Sequence, residues 1–384
     1  MTWDTSLSTA APTAGTDREA PYTMVRRTCR ELMGLGSVAA AATGNTKDET
    51  WTLPVRIDAS AIDTFRKSIE DDVLRIQEFG TSLAQNANYT GLAFDFPTPD
   101  CEAAWIVVLH AVDFGSGWRR ALHRHHGKGA WLTIKPGVVA LFRMAQEADG
   151  GGATHLPAAW LLSLTHNQVA QAFGLQDIQE QNDSLHTLVE YLVLVLHDLG
   201  RGVEKEKCIS LQEFVQKTLA AQSQSSTPAG DFVWTLVDMF PTTFNDRYLV
   251  REGTEEVCFF KKAQLVTGEL FHRFRQEDKR FQFVDGDQLT AYIDNVIVAT
   301  LRYKQIILPT EALTAMIETG QEIPMGSLEE VSLRAAALCA VDDIVKGIPA
   351  LKSSSELGNY LWAGLGKEPE VRKFERHATK TIFY

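Results

Sequence analysis

The chain has only five cysteines, Cys29, Cys101, Cys208, Cys258 and Cys339, and no CxxC pair. A scattered, odd set builds neither a zinc ribbon nor a disulfide framework, and reads as the reduced thiols of a cytosolic protein. Positive charge is scarce as well, since the acids leave a net charge of -12 at pH 7. A protein that grips long DNA or RNA draws much of its affinity from neutralising phosphates, so the acidic balance argues against bulk nucleic-acid binding, though not against a local pocket for one phosphate. Apolar runs such as Ala103–Leu109, AAWIVVL, fall far short of the roughly 20 residues that cross a bilayer. No membrane span is expected. The opening MTWDTSLSTAAPTAGTDREAPY shows no basic stretch followed by an apolar one and no arginine before Arg18. That argues against a secretory or mitochondrial leader, and a cytoplasmic protein is expected. Two-residue alternation is missing too, beyond a short piece around WTLPVRID.

What is present is helical periodicity. Ile62, Phe65, Ile69, Val73, Ile76 and Phe79 recur at three- and four-residue spacing in DASAIDTFRKSIEDDVLRIQEF, which predicts one amphipathic helix capped by Asp58 or Ser60. YTMVRRTCREL stops near Gly34, and GVVALFRMAQEA follows Pro136-Gly137. DSLHTLVEYLVLVLHDLG is expected to run from a cap at Asp183 or Ser184 to a stop at Gly200. With LTAYIDNVIVATLRY and SLEEVSLRAAALCAVDDIV also helical in pattern, the fold class is all-α with few or no strands. Residues 1–20 read as a disordered tail rich in Ser, Thr, Ala and Pro. Residues 21–384 read as one domain, in which Gly150–Gly152 and Ser223–Gly230 are surface connections.

Several stretches carry chemistry. In LTAYIDNVIVATLRY, Asp294 has apolar neighbours on its helical face, where an ionised carboxylate costs several kcal/mol unless paired. It is either a working acid or the cap of a helix beginning at Asn295. DFGSGWR brings Asp113 and two glycines together with Phe114 and Trp118, which suits either a helix stop or a stacking pocket. No Gly-rich phosphate loop or HRD loop accompanies DFG, so a kinase is excluded. FPTTFNDRY packs Phe244, Asn245, Asp246 and Tyr248 closely, and CFFKKAQ sets Lys261 and Lys262 behind two phenylalanines. Such a lysine either tunes a carboxylate, holds a phosphate, or runs out to solvent. LHRHHGKG clusters His123, His125 and His126 without a nearby acid, and predicts an exposed or phosphate-facing loop rather than a metal site. RKFERHATKTIFY is the most basic patch of the chain, read as a solvated face or a local anion site.

Taken in order, HAVDFGSGWR, LHRHHGKGAW, FPTTFNDRY with FFKKAQ, AYIDNV…LRY, and NYLW…RHATKTIFY resemble the queuosine salvage proteins over roughly residues 22–384. That family consists of queuosine 5'-phosphate N-glycosylases. The resemblance implies a mostly helical fold akin to the helix-hairpin-helix DNA glycosylases, and release of queuine from queuosine 5'-monophosphate without metal or organic cofactor. It places the catalytic aspartate on Asp294 and the lysine of the F-[FY]-K-[KR]-A-Q segment on Lys261. Asp246 and the turn around Asp113 and Phe114 become pocket residues, with a carboxylate of Asp246 or Asp113 reading the two adjacent N–H donors of a deazaguanine. Phe244, Tyr292 or Trp118 would sandwich the ring. Many members carry D-Y-R-x-P where this chain has Asp294-Asn295-Val296-Ile297-Val298, so Asn295 becomes the polar neighbour of the acid. The partner implied is a small nucleotide. A DNA base glycosylase or a non-catalytic helical scaffold are the competing classes, and the acidic charge opposes the first.

Overall fold

The computed structural model describes residues 18–35, 53–85, 96–148, 156–178 and 183–384. The glycine loop at 150–152 and almost all of the expected tail lie outside these residues. The last residues of that tail are anchored: Arg18 pairs with Asp238 at 2.7 Å and lies 3.3 Å over the Trp234 ring.

Helices dominate, as the periodicity predicts. Among the described residues two antiparallel two-stranded sheets accompany them, one pairing Val55–Ile57 with Ile307–Pro309 and the other Arg247–Val250 with Glu255–Cys258. Helix Leu328–Lys346 is buried on nearly every side. Around it pack helices Pro21–Leu32, Ala59–Ile69, Asn295–Tyr303 and Ser354–Asn359, together with the Val55–Ile57 sheet. A second centre forms around helix Asp183–Lys205, which packs on Ala158–Ser163 and His166–Ala172. Helices Pro99–Ala111 and Lys261–Phe274 lie against each other. Both are buried along most of their length, so each must be apolar on several faces rather than one. Ion pairs tie their far ends, where Arg273 holds Glu102 at 2.8 Å. At their near ends the Lys262 ammonium donates to the Ala111 carbonyl.

Four local expectations change. The predicted helix after Asp58 is interrupted by a 3-10 turn at Glu70–Asp72, where three successive acids replace the apolar rhythm; Asp58 caps its start by accepting from the Ala61 amide. Gly200 does not stop its helix, which continues to Lys205. Its missing side chain admits Leu162 of the crossing helix instead. Helix Ala130–Ala148 starts before Pro136, which sits inside it. The stretch Leu289–Tyr303 is not one helix: residues through Ile293 are irregular, and helix Asn295–Tyr303 begins directly after Asp294.

Candidate active site

The site is assembled where three chain segments end or begin. Helix Pro99–Ala111 stops and delivers Asp113, helix Lys261–Phe274 starts with Lys261, and helix Asn295–Tyr303 starts after Asp294. Lys261 is nearly buried and reaches Asp113 Oδ2 at 3.0 Å, while the Asp113 side chain keeps 25% of its surface. Burial acts to raise the Asp113 carboxyl, but Lys261 and the neighbouring His110 and Lys262 more than offset it, so its pKa lies below the ordinary value.

Strain orients the lysine. Phe260, the residue before it, has φ 48°, a left-handed conformation that costs a non-glycine residue about 1–3 kcal/mol. Phe260 is fully buried and meets Trp234 edge-on at 5.2 Å. The Phe260 conformation is thus fixed by core packing, and the chain turns sharply into the helix at Lys261.

Asp294 divides its two oxygens. Oδ1 accepts from the Val296 amide at 2.8 Å and the Ile297 amide at 3.0 Å, which caps the helix. Oδ2 accepts from the Trp362 indole at 2.9 Å. The residue is closely surrounded yet retains some accessible surface. Burial pushes its pKa above the usual carboxylate value, against the lowering effects of Lys261, the Ile297 amide and Arg376; the charge of Asp113 adds to the rise. Capping and a chemical role are therefore compatible in one side chain. Trp362 is in turn covered by the Lys367 ammonium at 4.2 Å and meets Trp131 edge-on at 6.3 Å.

Other sequence candidates fall in three places. Tyr292 is buried with its hydroxyl against Gly268 of the lysine helix, where a Cβ would overlap it. On that helix, Glu269 is buried, makes no hydrogen bond among the described residues, and has its pKa pushed up to about 8 by burial and then by Asp113. His110 is buried with neither ring nitrogen hydrogen-bonded among the described residues, and burial pulls it down to about 4. Trp118 and Asn295 line a separate cavity, together with Arg119 and Arg376. Phe114 and Phe244 are buried around Lys262, whose ammonium lies 5.1 and 5.8 Å from their ring centres. They clamp a structural lysine, which burial and Lys261 lower to about 7.

Asp246 is placed differently from the expectation. Both its oxygens accept from Arg334, at 3.0 and 2.6 Å, and the residue is 1% exposed. An acid so engaged has no free oxygen for a base, and its remaining bond is to the Lys261 amide at 3.4 Å. It supports the root of the lysine helix. The histidines of LHRHHGKG end helix Arg119–His126 rather than occupying a loop, and Gly127 closes that helix with φ 72°. Trp362 and Glu269 escaped the reading of the residues as site members: one lies 68 positions from Asp294, and the other is hidden in the apolar run LVTGELF.

A family model described as queuosine salvage protein matches residues 97–384. A curated relative from Sphaerobacter thermophilus is 26% identical over 73% of this chain and 81% of its own length. Another from Dictyostelium discoideum is 31% identical over 58% of this chain and 64% of its own. A third from Nematostella vectensis is 31% identical over 34% of this chain and 42% of its own. All three are named queuosine 5'-phosphate N-glycosylase/hydrolase. The match extends from just before helix Pro99–Ala111 through Asp113, Lys261, Asp294, Trp362 and the basic C-terminal segment, and on it the chain belongs to the queuosine salvage protein family.

Proposed function

We propose that the protein hydrolyses the N-glycosidic bond of queuosine 5'-monophosphate, releasing queuine and ribose 5-phosphate, and that Asp294 is the acid that acts on the ribose. The supporting observation is the division of labour at Asp294: backbone amides hold one oxygen, the Trp362 indole orients the other, and the group still reaches open space.

As the bond from the anomeric carbon to the base nitrogen breaks, its electron pair leaves with the base and positive charge develops on the ribose. A fixed carboxylate in surroundings of low dielectric stabilises that charge more strongly than water does. Water then supplies the oxygen to the anomeric carbon, and its proton balances the one taken up by the departing queuine. Because Asp294 is already oriented, no side-chain rearrangement is needed at the moment of reaction.

Lys261 keeps the neighbouring electrostatics positive and fixes Asp113. Asp113 retains accessible surface and an oxygen pair suited to adjacent N–H donors of the base. Neutral His110 and Glu269 behind it supply polar atoms without a full charge.

Incubation of the protein with queuosine 5'-monophosphate is expected to release free queuine, detected by mass spectrometry. A folded protein that releases none overturns the reading.

A further inference from the structure

Lys261 is steered into the site by Phe260, and Phe260 packs on Trp234. Behind Trp234 runs a stretch of chain far from the chemistry. Residues 18–22 pass antiparallel along helix Pro228–Met239 and fasten to it at three heights. At the C-terminal end of the helix, Arg18 forks onto both oxygens of Asp238, at 2.7 and 3.3 Å. In the middle, the Arg18 guanidinium covers the Trp234 ring at 3.3 Å, and the Trp234 indole N–H donates to the Glu19 carbonyl at 3.1 Å. At the start of the helix, the Tyr22 hydroxyl donates to Asp285 at 3.2 Å, and Asp285 accepts from the Ala229 and Gly230 amides. A Cβ on Gly230 would press on Pro21 at 3.2 Å, so this glycine lets the strap come close.

The strap leaves Trp234 only 7% exposed. On the Phe260 side, the two rings meet edge-on at 5.2 Å, and the Arg247 guanidinium stands 5.6 Å from the Phe260 ring. A residue in the left-handed region keeps that conformation only while its surroundings over-determine it. Without the outer cover, Trp234 loosens first, then Phe260, then the turn that aims the Lys261 ammonium at Asp113, 3.0 Å away. The fastening at Asp238 is the weak point, because about a third of each side chain is exposed.

We propose that the strap is a positioning element for catalysis, in which Arg18 acts through Trp234 and Phe260 to hold Lys261 against Asp113. The inference rests on the reading of Asp294 as the acid and Lys261 as the cation that serves it. The charged groups acting on the Asp294 carboxyl are Lys261, Arg376, Lys367 and Asp113. Burial raises that carboxyl, and Lys261 is the strongest influence lowering it. A lysine that wanders therefore leaves Asp294 protonated to a higher pH.

Arg18→Ala and Arg18→Lys test this in the full chain. An exposed ion pair adds little to global stability, so Arg18→Ala should melt close to wild type. With queuosine 5'-monophosphate, its kcat should fall about tenfold, short of the ~10²-fold that a 1 Å misplacement costs, with KM nearly unchanged. The acid limb of its kcat–pH profile should move to higher pH. Arg18→Lys, which keeps a cation over the Trp234 ring, should recover most of the loss. A wild-type kcat with an unmoved acid limb in Arg18→Ala overturns the proposal. Hydrogen exchange read by mass spectrometry follows the turn without the reaction. Amides of residues 259–264 should exchange about threefold or more faster in Arg18→Ala, while helix Leu328–Lys346 keeps the wild-type rate. That contrast supports the coupling even if no queuine is released. An unchanged rate in the turn, or acceleration spread evenly over both segments, overturns it even if the enzyme is active.

Discussion

Two ionic clusters meet at Lys261, whose amide donates to Asp246 and whose ammonium donates to Asp113, and they are built on opposite terms. In the Arg334 cluster, a guanidinium with no exposure bonds both oxygens of Asp246 and approaches Glu330 at 3.4 Å. Glu330 also accepts from Tyr384 at 2.9 Å and from the Gly326 amide at 3.1 Å. Phe259 and Tyr384 close the faces of Arg334 at 3.9 and 4.5 Å. In the Asp294 cluster, Asp113 and Asp294 keep accessible surface, and among the described residues Glu269 and His110 make no side-chain hydrogen bond while Arg119, Arg124 and Arg376 pair with no carboxylate. Carboxylates whose oxygens are hydrogen-bonded and sealed from water organise the fold. Carboxylates that remain reachable, beside buried polar groups left unpaired, suit a site built for a ligand, at a cost in stability.

The largest effect is expected from breaking the sealed side. Arg334→Met leaves Asp246 and Glu330 buried without their cation, and removal of one partner from a buried pair costs about 3–5 kcal/mol. That is a large share of the ~5–15 kcal/mol that holds a domain together. Urea denaturation should show the midpoint falling steeply, or little folded protein should be recovered. A midpoint close to that of wild type would mean that the sealed cluster does not organise the fold.

Asp294→Asn attacks the open side and separates its two duties. Asparagine caps helices as well as aspartate does, so the melting temperature should move little. Charge stabilisation of the ribose is lost, and kcat should fall by about 10²–10³-fold or more, the scale of removing one preorganised electrostatic group. Near-normal turnover of queuosine 5'-monophosphate would reduce Asp294 to a cap. A large fall in stability alongside the rate would mean that the two duties cannot be separated.

The two clusters also differ in how far the sequence revealed them. Helix positions follow from apolar spacing because burial of a face is a local property of the chain, and residue type narrowed the cap to Asp58 or Ser60, of which Asp58 takes the role. Asp294 was legible as an anomaly, an acid among apolar neighbours, and the family resemblance ranked it above a plain cap. Its pairing with Trp362, and that of Arg334 with Asp246 across 88 residues, depend on tertiary packing that no local pattern encodes. What Asp246 and Phe244 face was hidden for that reason: their motif pointed to the neighbourhood of Lys261, but the Arg334 and Lys262 side chains decide their contacts. The basic C-terminal patch was read as either a solvated face or an anion site, and the fold gathers Arg376 with Arg119 from far upstream.

The smallest effect, and the sharpest on the cost of the open side, concerns Glu269. Its pKa rises from 4.5 to about 8 in the folded protein because burial penalises its charge. In the unfolded chain it ionises near its ordinary value. Between these two values the folded state binds a proton that the unfolded state has released, so stability falls as pH rises from about 4.5 to about 8 and then levels off. Glu269→Gln removes this dependence while preserving a neutral side chain of the same size. The melting temperature of the variant relative to wild type should therefore be nearly matched at the acid end. It should climb to an advantage on the order of a few °C by about pH 8.5. A gap that does not change with pH would show that Glu269 finds a partner in solution, and that the mismatch on the open side is smaller than its buried carboxyl implies.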